Sequence, residues 1–178
     1  VTDRLLAAAD LVTLARTGVE YDYRGDVISA HAPEMPTRFA KQLAQVYRGA
    51  IALGTDPTDA VRLAIRCARD SMPPLRLAIV DDVAANPAST TSEVRKRLGL
   101  PRATVDRQLQ ALHMLGVLTV AEEEREWAGK AATVWRYTLT EGIDPTALNP
   151  KSVPEKLVHP PLPHRRGEGT GHSTTPTY

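Results

Sequence analysis

One cysteine, Cys67, stands among 178 residues, so no intramolecular disulfide framework can form and an oxidising compartment is not indicated. Aromatic residues make up 4% of the chain, against 42% hydrophobic residues in all. A core built mostly from Ala, Leu and Val favours packed helices over a large sheet. No apolar run approaches the roughly twenty residues that cross a bilayer. The first residues carry Asp3 and Arg4 before a short Leu/Ala run, with no basic leader and apolar core, so a cytoplasmic setting is expected. Charge of either sign is not in excess: the formal net charge is +1. Catalytic signatures are missing as well. There is no phosphate-binding loop of G-x-x-x-x-G-K-[ST] form, no H-E-x-x-H, no C-x-x-C and no G-x-S-x-G. His31 and His113 have no partner at catalytic spacing. Asp81 and Asp82 are adjacent on a helix and point in different directions. The chain is expected to be no enzyme, and no cofactor or metal is expected.

What is present is punctuation and periodicity. The length allows one ordinary domain or two small ones. Residues 2 to 17 read as an Ala/Leu-rich helix stopped by Gly18. Residues 19 to 35 show no clear period and read as irregular. A second helix is expected from Pro36 to Gly54, with Phe39, Leu43, Val46 and Ala50 on one stripe. Asp56-Pro57-Thr58-Asp59 restarts a third, because Asp56 can cap it and Pro57 suits its first position. Arg62, Arg66 and Arg69 share one face of that helix, a surface that reads first as solvated. Pro73 and Pro74 break the chain before a helix from about Leu75 to Ala85. From Ile143 onward the composition turns Pro-, Gly-, Thr- and His-rich, and 143–178 reads as disordered. His159, His164 and His172 lie in that tail without fixed geometry, as does a PPLP stretch.

Residues 90 to 139 carry the functional signal. Thr90 and Glu93 have capping-box spacing, which starts a helix near Thr91. Val94 and Leu98 share a face, Gly99 can end the helix in the left-handed conformation, and Pro101 opens the next. Val105, Leu109, Leu112 and Leu115 form an apolar stripe closed by Gly116. Val117, Leu118 and Val120 then read as a strand, and Thr133, Val134, Trp135, Tyr137 and Leu139 as its partner. Trp127, Ala128, Gly129 and Lys130 fall at the tip between them. This order predicts a helix-turn-helix with a β-wing. The fold class is therefore mainly α with a small β-wing: a helical region over 1–72, lid-like or dimerising, a winged helix-turn-helix over 73–142, and the tail.

Such a unit lays its second helix in the major groove of duplex DNA. Arg102, Thr104, Arg107 and Gln110 lie off the apolar stripe, with Ala103 and Asp106. Arg suits guanine, Gln suits adenine, and Thr can touch a thymine methyl or a phosphate. Arg95, Lys96, Arg97 and Lys130 are expected to meet the phosphate backbone. From Thr90 to Gln110 five basic residues face two acidic ones, a local balance of +3 in a chain of net +1. Glu122, Glu123, Glu124 and Glu126 on the first wing strand oppose DNA if they face it, which leaves a protein-docking winged helix as an open reading.

Leu98 to Leu118, LGLPRATVDRQLQALHMLGVL, resembles the recognition-helix signature of ArsR-type and MarR-type bacterial regulators, over about a third of the chain. That resemblance implies a winged-helix transcription factor in which Arg102, Thr104, Asp106 and Arg107 face double-stranded DNA. Such regulators usually pair to read two half-sites, so a homodimer stays open. Their metal-sensing members use clustered Cys and His, which a single cysteine does not supply. Pro36 to Leu43, PTRFAKQL, resembles the opening of the helical lid of AAA+ ATPases, where the residue matching Arg38 reaches the nucleotide γ-phosphate. Holliday-junction branch-migration motors and archaeal replication initiators follow that lid with a winged helix. The whole chain is similar to the C-terminal end of replicative ATPases or helicases of actinobacterial plasmids and phages. This implies an accessory or truncated module that binds DNA or an ATPase partner chain. The nucleotide-binding core has no counterpart in these residues, so ATP would have to be held by a separate chain.

Overall fold

The computed structural model describes residues 1–127 and 130–155, without the side chains of Trp127 and Lys130. The wing tip at 128–129, the histidines and PPLP stretch of the tail lie outside the described residues. Helix α1 spans Thr2–Arg16, strands β1 and β2 span Val19–Tyr21 and Val27–Ala30, and α2 and α3 span Pro36–Ala52 and Pro57–Asp70. Helices α4, α5 and α6 follow over Pro74–Ala85, Thr91–Leu98 and Arg102–Met114. Strands β3 and β4 span Leu118–Trp127 and Lys130–Leu139, and two 3-10 turns close the described chain at Pro145–Leu148 and Pro150–Ser152. The protein is mainly helical, with two two-stranded antiparallel sheets, β1–β2 and β3–β4. No described helix is long and apolar enough to cross a membrane.

Helix α1 is apolar around most of its circumference, which suits a helix enclosed by neighbours. Leu5, Ala8, Ala9, Leu11, Val12 and Ala15 are buried. Small alanines let α2 and α3 approach it closely, and they contribute Phe39, Leu43, Val61, Ile65 and Ala68. The buried Thr13 hydroxyl donates to the Ala9 carbonyl at 2.8 Å, and Thr17 to that of Thr13 at 2.6 Å, so neither is left unpaired. Asp56 caps α3 as its spacing predicts, accepting the Thr58 N–H at 2.8 Å. The core continues without a break through Ile79, Val80 and Val83 of α4 to Val94, Val105, Leu109, Leu112, Leu118 and Tyr137.

Two segments differ from the sequence reading. Residues 19 to 35, expected to be irregular, contain the β1–β2 hairpin. Its turn is built by Asp22, whose carboxylate accepts the N–H groups of Arg24 and Asp26 at 2.8 and 2.9 Å. Gly25 sits there at φ +88°, which a side-chain-bearing residue rarely adopts. Residues 143 to 155, expected in the disordered tail, dock on α1 and α3. Ala147, Leu148 and Val153 are buried. Arg4 of α1 reaches across to donate to the carbonyls of Thr146, Asn149 and Ser152 at 3.0–3.1 Å. Three apolar residues and one bridging arginine suffice to hold a stretch whose prolines look like a linker.

Candidate nucleic-acid interface

The α5–α6 unit forms for local reasons. Thr90 accepts the Glu93 N–H at 3.3 Å through its hydroxyl, while the Glu93 carboxylate accepts the Thr90 N–H at 2.7 Å. These bonds to Thr90, aided by Arg136 and Arg97 nearby, hold the Glu93 carboxyl below its ordinary pKa. Gly99 ends α5 at φ 66° and ψ 28°, the left-handed cap that turns the chain at low cost. Helix α6 follows Pro101 and buries Val105, Leu109, Ala111 and Leu112. Gly116, at φ 75°, reverses the chain into β3.

The β3–β4 hairpin pairs in one unbroken register from Leu118↔Leu139 to Trp127↔Lys130. A third, minimal strand joins it: Ser89, between α4 and α5, exchanges backbone hydrogen bonds with Tyr137 at 3.2 and 2.9 Å. At its base the hairpin seals the core with Leu118 and Tyr137. The Tyr137 hydroxyl is buried without a hydrogen-bond partner. Burial first, and the Asp106 carboxylate second, push this phenol up to about 12, against a weaker opposing influence from the Thr91 hydroxyl nearby. Farther out, Glu123 is bound by both Arg136 and Arg125. Arg136 also donates to the Ala88 carbonyl at 2.7 Å and lies 3.9 Å from Glu93. One of the hairpin's acidic residues is thus paired within the hairpin itself. Glu122, Glu124 and Glu126 remain exposed and share a face, by register, with Trp135.

The expected contact residues do not all stand on one surface. Arg102 is exposed at the first position of α6. It lines a cleft of about 380 Å³ with Thr91, Ser92, Asp106, Thr133 and Trp135, between α5, α6 and the wing. Arg107 is exposed too, but its guanidinium rests on Gly25 of the β1–β2 turn. Thr104 is half-buried. Gln110 donates to Asp106 at 3.1 Å, and Thr91 donates to the other Asp106 oxygen at 3.1 Å, so Asp106 ties α5 to α6 rather than pointing outward. Lys96 is exposed and Arg95 half-buried on the last turn of α5. Among the described residues, Arg95, Lys96, Arg102 and Arg107 make no ion pair.

Arg97 is engaged within the fold. Its guanidinium makes a bidentate bond to Asp82 of α4 at 2.8 and 2.7 Å and a third bond to the Ser89 hydroxyl at 2.7 Å. The bond to Asp82 raises its pKa further. This arginine fastens α5 to α4, which leaves it poorly placed to hold phosphate. For Lys130 only the backbone is described, at the first position of β4.

Sequence reasoning missed two participants. The β1–β2 turn packs beside α6, and Arg76 of α4 joins them from within. For the first, Y-D-Y-R-G-D offers turn residues, but the flanking runs V-E-Y and V-I-S-A are too short to establish a strand period. Nothing local announces Arg76. Arg38, the residue implied by the ATPase resemblance, is exposed in the first turn of α2 and lines an open cleft of about 700 Å³ with Glu34, Met35, Lys41 and Gln45. Among the described residues no group of three or more His, Cys, Asp or Glu is placed to hold a metal. Comparison with protein-family models, curated proteins and solved structures gives no match to this chain.

Proposed function

We propose that α4, α5, α6 and the β3–β4 hairpin form a winged helix-turn-helix module that binds duplex DNA, and that the protein acts without enzymatic chemistry as a transcription or replication regulator. The observation that carries this reading is the edge of α6: Arg102 and Arg107 stand exposed, without acidic partners among the described residues, on a helix locked from behind by Val105, Leu109 and Leu112. The order helix, bridge at Ser89, helix, left-handed turn, helix, hairpin supports it. Arg95 and Lys96, unpaired on the adjoining helix, would meet backbone phosphates. Contacts with phosphates release counterions, so four such cations give a slope of log affinity against log salt of about −3 to −4. A guanidinium paired to a guanine edge contributes roughly 1–3 kcal/mol.

The test is duplex affinity measured across a range of salt, for the native chain and for the double variant Arg102→Ala/Arg107→Ala. Both side chains are exposed, so the variant keeps its fold. The expected result is a steep salt slope and a loss of at least about tenfold in the variant, taken from the same range. Equal binding by both proteins contradicts the assignment. A second reading, an accessory module of a replication or recombination ATPase, is favoured by Arg38, exposed and without an ion pair among the described residues. It expects Arg38→Ala to weaken association with a phosphate-loop ATPase encoded alongside and to leave DNA affinity as it was.

A further inference from the structure

Two hairpins pack against α6: β3–β4, and β1–β2 from the other half of the chain. We propose that the second is also a DNA-contacting element, with Arg24 at its tip binding a backbone phosphate beside Arg107. This rests on the reading of α6 given above.

The hairpin is attached to α6 by a buried charge. Arg76 is 8% exposed; it donates to the carbonyls of Ala15 and Thr17, both at 2.7 Å, and to the Gln108 side chain at 3.0 Å. Thr17 lies two residues before β1, and Gln108 lies on α6. The root of the hairpin is therefore tied to the helix by one guanidinium. The tip makes a second contact. A Cβ on Gly25 would come within 2.4 Å of the Arg107 guanidinium, so only glycine lets the turn and that side chain lie this close. Tied at its root by Arg76 and packed on α6 through β2, the hairpin lies beside the arginine edge of α6.

Its outermost residues suit a polyanion. Tyr23 is 89% exposed. The Arg24 guanidinium lies 5.2 Å from the Tyr23 ring centroid, and its Nε donates to the Tyr23 hydroxyl at 2.7 Å. A cation resting on an aromatic face is partly ordered before it binds. It keeps its terminal N–H groups for an acceptor, and it has no acidic partner among the described residues. Three carboxylates stand nearby and keep their negative charge: Asp22 accepts backbone N–H groups of the turn, Glu20 accepts from Ser29 at 2.7 Å and lies 3.5 Å from His31, and neither they nor Asp26 pair with Arg24 among the described residues. A phosphate contact carries no sequence information, so Arg24 would add affinity uniformly over different duplexes.

The experiment measures affinity for two duplexes of unrelated sequence against salt, using the full chain, Arg24→Gln, Arg24→Lys, and Arg48→Gln on α2 as a control for lost bulk charge. Arg24→Gln is expected to weaken binding roughly fivefold to tenfold at about 0.1 M salt, equally on both duplexes, and to reduce the salt slope by about one. Arg24→Lys restores the slope, and Arg48→Gln leaves it unchanged. If the native chain binds and Arg24→Gln matches it, the hairpin inference falls while the α6 reading stands. Tighter binding by Arg24→Gln also overturns it, since the hairpin would then be a cover. If the native chain binds no duplex at low salt, both fall together.

Discussion

Tyr137 is buried, and its hydroxyl has no hydrogen-bond partner among the described residues. The fold favours the neutral form, so its folded pKa, about 12, exceeds the unfolded value of 10.0. The stability this contributes is complete below pH 10 and is lost as pH rises from there toward 12, on the order of 3 kcal/mol at most. Tyr137→Phe removes the unpaired hydroxyl. Denaturant melts should find it no less stable than the native protein at neutral pH, and should find that its stability falls less between pH 10 and 12. Matching alkaline curves for the two proteins would contradict this. Tyr137 was legible as a strand residue, whereas the surroundings of its hydroxyl, Thr91 and Asp106, lie far away in sequence. Arg97 teaches the same lesson. In the run Arg95-Lys96-Arg97 no local rule marks the one that is ion-paired, because its partner Asp82 comes from the preceding helix.

The elements whose stop and start signals are local came through the sequence best. The capping box at Thr90, the glycine turn at Gly99 and the Val105-to-Leu112 stripe all appear where spacing places them. Thr90→Ala should cost about 1 kcal/mol, read by thermal or denaturant unfolding, because it strips the Glu93 N–H of its acceptor. Because folding lowers the Glu93 pKa, the stabilisation from that carboxylate is present above the unfolded value of 4.5 and fades as pH falls through the lower folded value. In Thr90→Ala the acid-side decline should therefore be shallower than in the native protein. The β1–β2 hairpin and the 143–155 segment were not legible. Strands of three and four residues are too short to establish a period, and the docked turns, capped locally by Asp144 and Asn149, are held to the core by buried Leu148 and by Arg4 from the far end of the sequence. At the proposed interface, Arg102 and Lys96 are exposed; Asp106 and Arg97 are engaged by partners in other elements, and Gln110 by Asp106 one turn earlier on α6.

At the scale of the molecule, the expected division near residue 72 does not divide the core, which runs from Leu5 through α4 to Val153. Arg76 makes the same connection with hydrogen bonds, from α4 back to the end of α1 and outward to α6. The helical half is thus more than a neighbour of the proposed DNA-binding half. It shapes the flank of α6 and sets a turn against Arg107. The most direct measurement of the central claim is an amide-resolved NMR titration of the isotopically labelled chain with duplex DNA. The account predicts that the largest shifts fall on Arg95, Lys96, Arg102 to Arg107 and the β1–β2 turn, with α2 unaffected. Shifts confined to α2 and the Arg38 cleft, or none along α6 at low salt, would contradict it.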